Sequence, residues 1–252
     1  MKIINKENFK EFPDAIFLDI DNTIYDYNLA HKGAIAAVKD KAIKTFSING
    51  KDFDDAYAES KKQVKSKLQN TASSHSRLLY MQRMLEIIGL KSQVLLSLDF
   101  EQTYWRNFLI NAELFENVID FLEEIRLIGI PIVAITDLTA QIQFRKIIYF
   151  GLDNYFDYVV TSEEAGVEKP EKTIFNLAID KINIKKPKLW MIGDNLEKDI
   201  IGSKVNVNAT TLQKRHAGII VENDYKYTDL IFENFSDIHK LLVSIKNGKY
   251  RK

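Results

Sequence analysis

Ala15-Ile16-Phe17-Leu18-Asp19-Ile20-Asp21-Asn22-Thr23 reads as a short apolar run that stops at two carboxylates set two residues apart. Four consecutive apolar residues without polar alternation fit a strand buried on both faces, as in a parallel sheet. Residues two apart in a strand face the same side, so Asp19 and Asp21 stay close even where the strand loosens into a turn. In open α/β sheets, ligands bind outside the carboxyl ends of the strands. Two negative charges there are costly unless something positive joins them, and their oxygens suit a hard dication such as Mg²⁺. Taken alone, Asp21-Asn22-Thr23 also suits a polar turn or helix cap.

Further along the chain the same design recurs. Pro131-Ile132-Val133-Ala134-Ile135 ends at Thr136-Asp137, and Leu189-Trp190-Met191-Ile192 ends at Gly193-Asp194-Asn195. Tyr158 to Thr161, Ala209 to Leu212 and Leu230 to Phe232 are three more strand candidates. Between them lie helical periodicities: Val118, Leu122, Ile125 and Ile128, closed by Gly129 and Pro131; Ile142, Ile147 and Ile148; Ile174, Leu177 and Ala178; and Ile238, Leu241, Leu242 and Ile245. Strand and helix alternating from Leu114 onward argue for βαβ units, whose right-handed crossovers put the strands in one parallel sheet covered by helices.

Residues 27–111 break this rhythm. They hold no convincing strand but four periodic stretches, Ala34 to Phe46, Phe53 to Leu68, Leu78 to Ile88 and Val94 to Leu109. A parallel crossover needs only a dozen or so residues, so these read as an inserted helical domain. The expected organisation is therefore a core of residues 1–26 and 112–252 with a helical insertion at 27–111.

Composition bounds the function. Lys plus Arg and Asp plus Glu both number 35, so no global field draws the chain to nucleic acid or an anionic membrane. The basic stretch Lys246 to Lys252 is expected to be a solvated end. With no cysteine there is no disulfide, thiolate metal site or cysteine nucleophile, which fits a reducing, cytoplasmic setting. The apolar run near Leu127 to Ile135 is too short for a bilayer, and Met1 to Phe12 has no signal-peptide core.

Two weaker signals complete the set: the hydroxyl of Thr136 at a strand end, and a lysine in the turn Gly166-Val167-Glu168-Lys169-Pro170 before a helix. In order, Asp19-Ile20-Asp21-Asn22-Thr23, Thr136, Lys169-Pro170 and Gly193-Asp194 with Asp199 resemble the four signature motifs of the haloacid dehalogenase superfamily. The likeness covers roughly residues 13–26 and 112–235, and the insertion point resembles that of the subclass with a helical cap.

The resemblance implies a Rossmann-like core and a phosphatase that works through an aspartyl-phosphate. It makes Asp19 the nucleophile and Asp21 the general acid and base, places Thr136 and Lys169 on the phosphate, and gives the Mg²⁺ to Asp19, the backbone carbonyl of Asp21, and Asp194. Asp199 would either orient the lysine or hold a metal-bound water. Asp21 also separates phosphatases from the metal-free dehalogenases, which usually lack a second aspartate. Asp137 departs from the pattern, since relatives often carry asparagine there, and an extra charge beside a phosphate is unfavourable. Asp21 is expected to be neutral at the outset, because other carboxylates stand nearby.

The implied substrate is a small phosphorylated metabolite, a nucleoside monophosphate or a sugar phosphate, with no nucleic-acid or membrane partner and a monomer or homodimer as the working unit. A phosphomutase of the same family and a catalytically silent binding module are the competing readings. In the cap, His31, Lys62, Arg77, Arg83, Tyr104 and Arg106 are the polar candidates for substrate contact, and Trp105 and Phe108 are expected in its core.

Overall fold

The computed structural model describes residues 1–217 and 225–248. The last residues of the basic stretch, 249–252, lie outside them. The chain forms two compact units, residues 1–26 with 113–252, and residues 27–112.

Among the described residues of the first unit, seven strands form one sheet. They are β1 (Lys2–Ile3), β2 (Ala15–Leu18), β3 (Ile132–Thr136), β4 (Tyr158–Thr161), β5 (Leu189–Gly193), β6 (Thr210–Lys214) and β7 (Leu230–Phe232), in the order β1-β7-β6-β5-β2-β3-β4. The strands from β2 to β7 are parallel, whereas β1 pairs antiparallel with β7 through Lys2 opposite Ile231 and Ile3 opposite Leu230. The sequence reading had no place for β1, because two residues are too few to show a period. β2 lies between β3 and β5 and is buried along its whole length, which accounts for its unbroken apolar run. Since β3 and β5 leave it on opposite sides, its carboxyl end faces the crevice of a Rossmann-like sheet.

Helices cover the sheet. The stripe of α5 (Val118–Ile128) buries Val118, Phe121, Leu122 and Ile125, and the helix stops at Gly129, whose φ of 82° a side chain would resist. After α6 (Ala140–Tyr149) and the short α7 (Ser162–Ala165), α8 (Lys172–Ile182) packs Ile174, Phe175 and Ala178 against Phe17, Val133 and Met191. One π-helical turn (Leu196–Ile201) leads into α9 (Gly202–Val207), and α10 (Phe235–Lys246) buries Ile238, Leu241, Leu242 and Ile245.

In the second unit, α1 (Tyr27–Phe46) packs on α4 (Val94–Ile110), α4 on α3 (Arg77–Ile87), and α3 on α2 (Gly50–Leu68). α1 starts seven residues earlier than its apolar spacing suggests, because its first turns are ordered by aromatic contacts. Tyr27 stacks on His31 at 5.8 Å between ring centres and packs on Phe108 at 5.2 Å. Trp105 and Phe108 are core residues of this unit. No described helix is long and apolar enough to cross a membrane.

The Nδ1 atom of His31 lies 2.7 Å from the Tyr104 hydroxyl. Burial, and then the charges of Arg77 and Lys61, push the imidazole down from 6.5 to about 4. The fold therefore favours neutral His31: its contribution to stability is complete above pH 6.5 and is lost as the pH falls toward 4. His31→Gln, which keeps a polar partner for Tyr104 but cannot titrate, should show a smaller drop in melting temperature between pH 6.5 and pH 4 than the wild type. Equal drops in paired thermal melts would show that His31 carries none of that dependence.

Candidate active site

Three strand ends and one turn place the polar groups. Asp19 directly follows β2, and its amide donates to Ile192 O at 2.9 Å, which continues the pairing with β5 and fixes the carboxylate at the sheet edge. Thr136 closes β3, Asp194 follows β5, and Lys169 comes from the turn before α8.

Lys169 Nζ is the hub. It donates to Asp19 Oδ1 at 2.6 Å, to Asp199 Oδ1 at 2.6 Å and to Ile135 O at 3.0 Å, and its side chain is 3% exposed. Its two carboxylate partners outweigh burial and raise its pKa well above the usual lysine value, so the ammonium is permanent. The other oxygen of Asp19 accepts from the Thr23 hydroxyl at 2.8 Å, and Thr23 also reaches Asp194 Oδ1 at 3.4 Å. Thr136 is buried, and its hydroxyl donates to Asp137 O at 3.3 Å.

Asp19, Asp194 and Asp199 each bring a carboxylate oxygen within 4.8 Å of the others. Burial raises the pKa of Asp19 and Asp194 above the carboxylate range, and repulsion among the three acids adds to it. Among the described residues no cation pairs directly with Asp194. Lys169 thus pairs with two of the three carboxylates, and hard oxygen donors at this spacing fit a divalent cation that would offset the surplus charge. Both oxygens of Asp199 are already engaged, one by Lys169 and the other by the Asn195 amide at 3.0 Å.

Asp21 corrects one expectation. Rather than being kept neutral by its acidic neighbours, its carboxylate is gripped by Lys146 Nζ at 2.6 and 2.9 Å, by Gln143 Nε2 at 3.2 Å and by the Tyr25 hydroxyl. Burial alone would push Asp21 up, but Lys146 together with these hydrogen bonds holds it below the usual carboxylate value, and therefore ionised. Lys146 escaped the sequence reading although a signal was present. It shares the buried stripe of α6 with Ile142, Gln143 and Ile147, and a lysine and glutamine on an apolar stripe call for a buried partner.

Asp137 also finds its place. One of its oxygens accepts from the Lys169 amide at 3.1 Å and the other from Lys198 Nζ at 2.8 Å, so its charge is tied to the lysine turn. Of the polar residues of the helical unit, Arg77 and Tyr104 are buried and His31 adjoins them, while Arg83 pairs with Glu86 and Gln63, and Lys62 and Arg106 are exposed.

Comparison with known proteins identifies the family. Residues 13–205 match the family model of the haloacid dehalogenase-like hydrolases. A ribulose-1,5-bisphosphate 5-phosphatase of Halopiger xanaduensis is 33% identical over 190 residues, covering 75% of this chain and 80% of that protein. A glyceraldehyde 3-phosphate phosphatase of Methanopyrus kandleri is 27% identical over 224 residues, covering 89% and 90%. A magnesium-bound hydrolase of the same superfamily from Bacillus subtilis shares the fold, with a TM-score of 0.65 at 18% identity over 90% of this chain and 97% of that one. The chain belongs to the haloacid dehalogenase-like hydrolases. Within them it is a phosphoric monoester hydrolase.

A Cβ built on Gly193 would stand 2.5 Å from Cβ, Cγ and Oδ2 of Asp199. Gly193→Ala must therefore displace Asp199 and with it the Lys169 bridge. It should lower kcat at least about tenfold, since a misplacement near 1 Å costs about a hundredfold. A steady-state assay showing wild-type kcat would mean that Asp199 tolerates the shift.

Proposed function

We propose that this chain is a Mg²⁺-dependent phosphatase of a small sugar phosphate that works through an aspartyl-phosphate on Asp19. The observation that carries the reading is the convergence of Asp19, Asp194 and Asp199 within 4.8 Å of one another, with the ammonium of Lys169 paired to Asp19 and Asp199 alone. A sugar phosphate stands ahead of a nucleoside monophosphate because the similar curated proteins are named for ribulose 1,5-bisphosphate and glyceraldehyde 3-phosphate.

An Asp19 oxygen attacks phosphorus in line as the bond to the leaving alcohol breaks, and the alcohol takes a proton from Asp21. Water then attacks the acyl phosphate and gives its proton to Asp21, releasing inorganic phosphate and regenerating Asp19. Lys146 holds Asp21 ionised, which suits the second half, so donation in the first half requires Asp21 to leave that lysine protonated. Lys169, the Thr136 hydroxyl and the amides after Asp19 hold the equatorial oxygens, where alignment and charge neutralisation supply most of the catalysis. Asp199 holds Lys169 in position, because both of its oxygens are already occupied. A dication held by Asp19, Asp194 and the backbone carbonyl of Asp21 would supply further positive charge to the phosphate.

A panel of sugar phosphates and nucleoside monophosphates, scored by released phosphate, tests the reading. Release should need no bisphosphate activator, should stop with a chelator and should return with Mg²⁺. Asp19→Asn should retain less than about 1% of the rate while folding normally. Chelator-resistant turnover, or more activity than that in Asp19→Asn, would overturn it.

A further inference from the structure

Arg77 is buried in the helical unit in the company of neutral and basic groups. It opens α3, is 6% exposed, and donates to His75 O at 2.5 Å and to the Tyr27 hydroxyl. Its guanidinium lies 5.2 Å from the ring centre of Tyr104, 5.4 Å from that of Tyr80 and 5.5 Å from that of Trp105. Among the described residues no carboxylate pairs with it. Its Nε is buried without an acceptor, and the Tyr57 hydroxyl, from α2, is buried without any partner.

The surroundings bring no negative charge: His31 is held neutral, and Lys61 is a further cation whose pKa is lowered, first by burial and then by the charge of Arg77. A structural arginine would be expected to use its fork on a carboxylate, because a buried charge left unpaired is costly and an isolated buried donor adds to that cost. A planar guanidinium with phenolic O–H groups beside it is suited to an oxyanion, which takes charge-assisted hydrogen bonds from such a fork.

We propose that Arg77, with Tyr27, Tyr57 and His31, forms an oxyanion-binding site in the helical unit. The ligand chemistry is a phosphate or carboxylate group. Its source is a free anion, an anionic metabolite or an inorganic ion, bound within the helical unit and separate from the phosphomonoester.

The test uses the full chain, with inorganic sulfate as the probe. Inorganic sulfate should raise the melting temperature of the wild type, and Arg77→Met should lose that increment. Tyr57→Phe deletes a hydroxyl that makes no internal bond, so it should fold normally yet show a smaller increment; together with Arg77→Lys, which keeps the charge but not the fork, it preserves the test if Arg77→Met fails to fold. Sulfate increments equal to the wild type in all folded variants overturn the proposal. An Arg77-dependent increment in a chain that hydrolyses no sugar phosphate would sink the functional reading and leave this site standing.

Discussion

The ammonium of Lys169, shared by Asp19 and Asp199 under almost complete burial, is the contact on which the core depends. It ties the end of β2 to the turn after β5, and through Ile135 O to the end of β3. Removing either carboxylate would leave the lysine less compensated, and removing the lysine would leave two buried acids in repulsion. Changes of that kind in a buried network cost about 3–5 kcal/mol. Asp137 and Lys198 extend the same logic one layer outward by gripping the turn that carries Lys169.

A second ion pair, Lys146 with Asp21, stands beside the first and balances itself. It separates the two aspartates that are neighbours in sequence: Asp19 faces a pocket with surplus negative charge, whereas Asp21 has a cation of its own. In the proposed mechanism this division lets one carboxylate act as nucleophile and the other move protons.

Much of this was legible in the sequence because it is written locally. The runs at Ala15, Ile132 and Leu189 announce buried strands, and their polar ends at Asp19, Thr136 and Asp194 announce the crevice. The stops of α5 at Gly129 and of α1 at the end of an apolar stripe are equally local. What stayed hidden depends on distance. Lys146 meets Asp21 across 125 positions, Asp137 meets Lys198 across 61, and Arg77 meets Tyr27 across 50, and no short pattern encodes such meetings. β1 stayed hidden for a different reason: two residues on a sheet edge need no apolar pattern.

In the proposed function, a divalent ion would make up the charge of a pocket whose carboxylates outnumber its cations. Titration calorimetry of Mg²⁺ into the wild type and into Asp194→Asn measures this directly, because Asp194 brings charge to the pocket without a lysine of its own. The account predicts about one Mg²⁺ per chain in the wild type and binding weakened at least about tenfold in the folded variant. Equal binding by the two proteins, or no binding by the wild type, would contradict it.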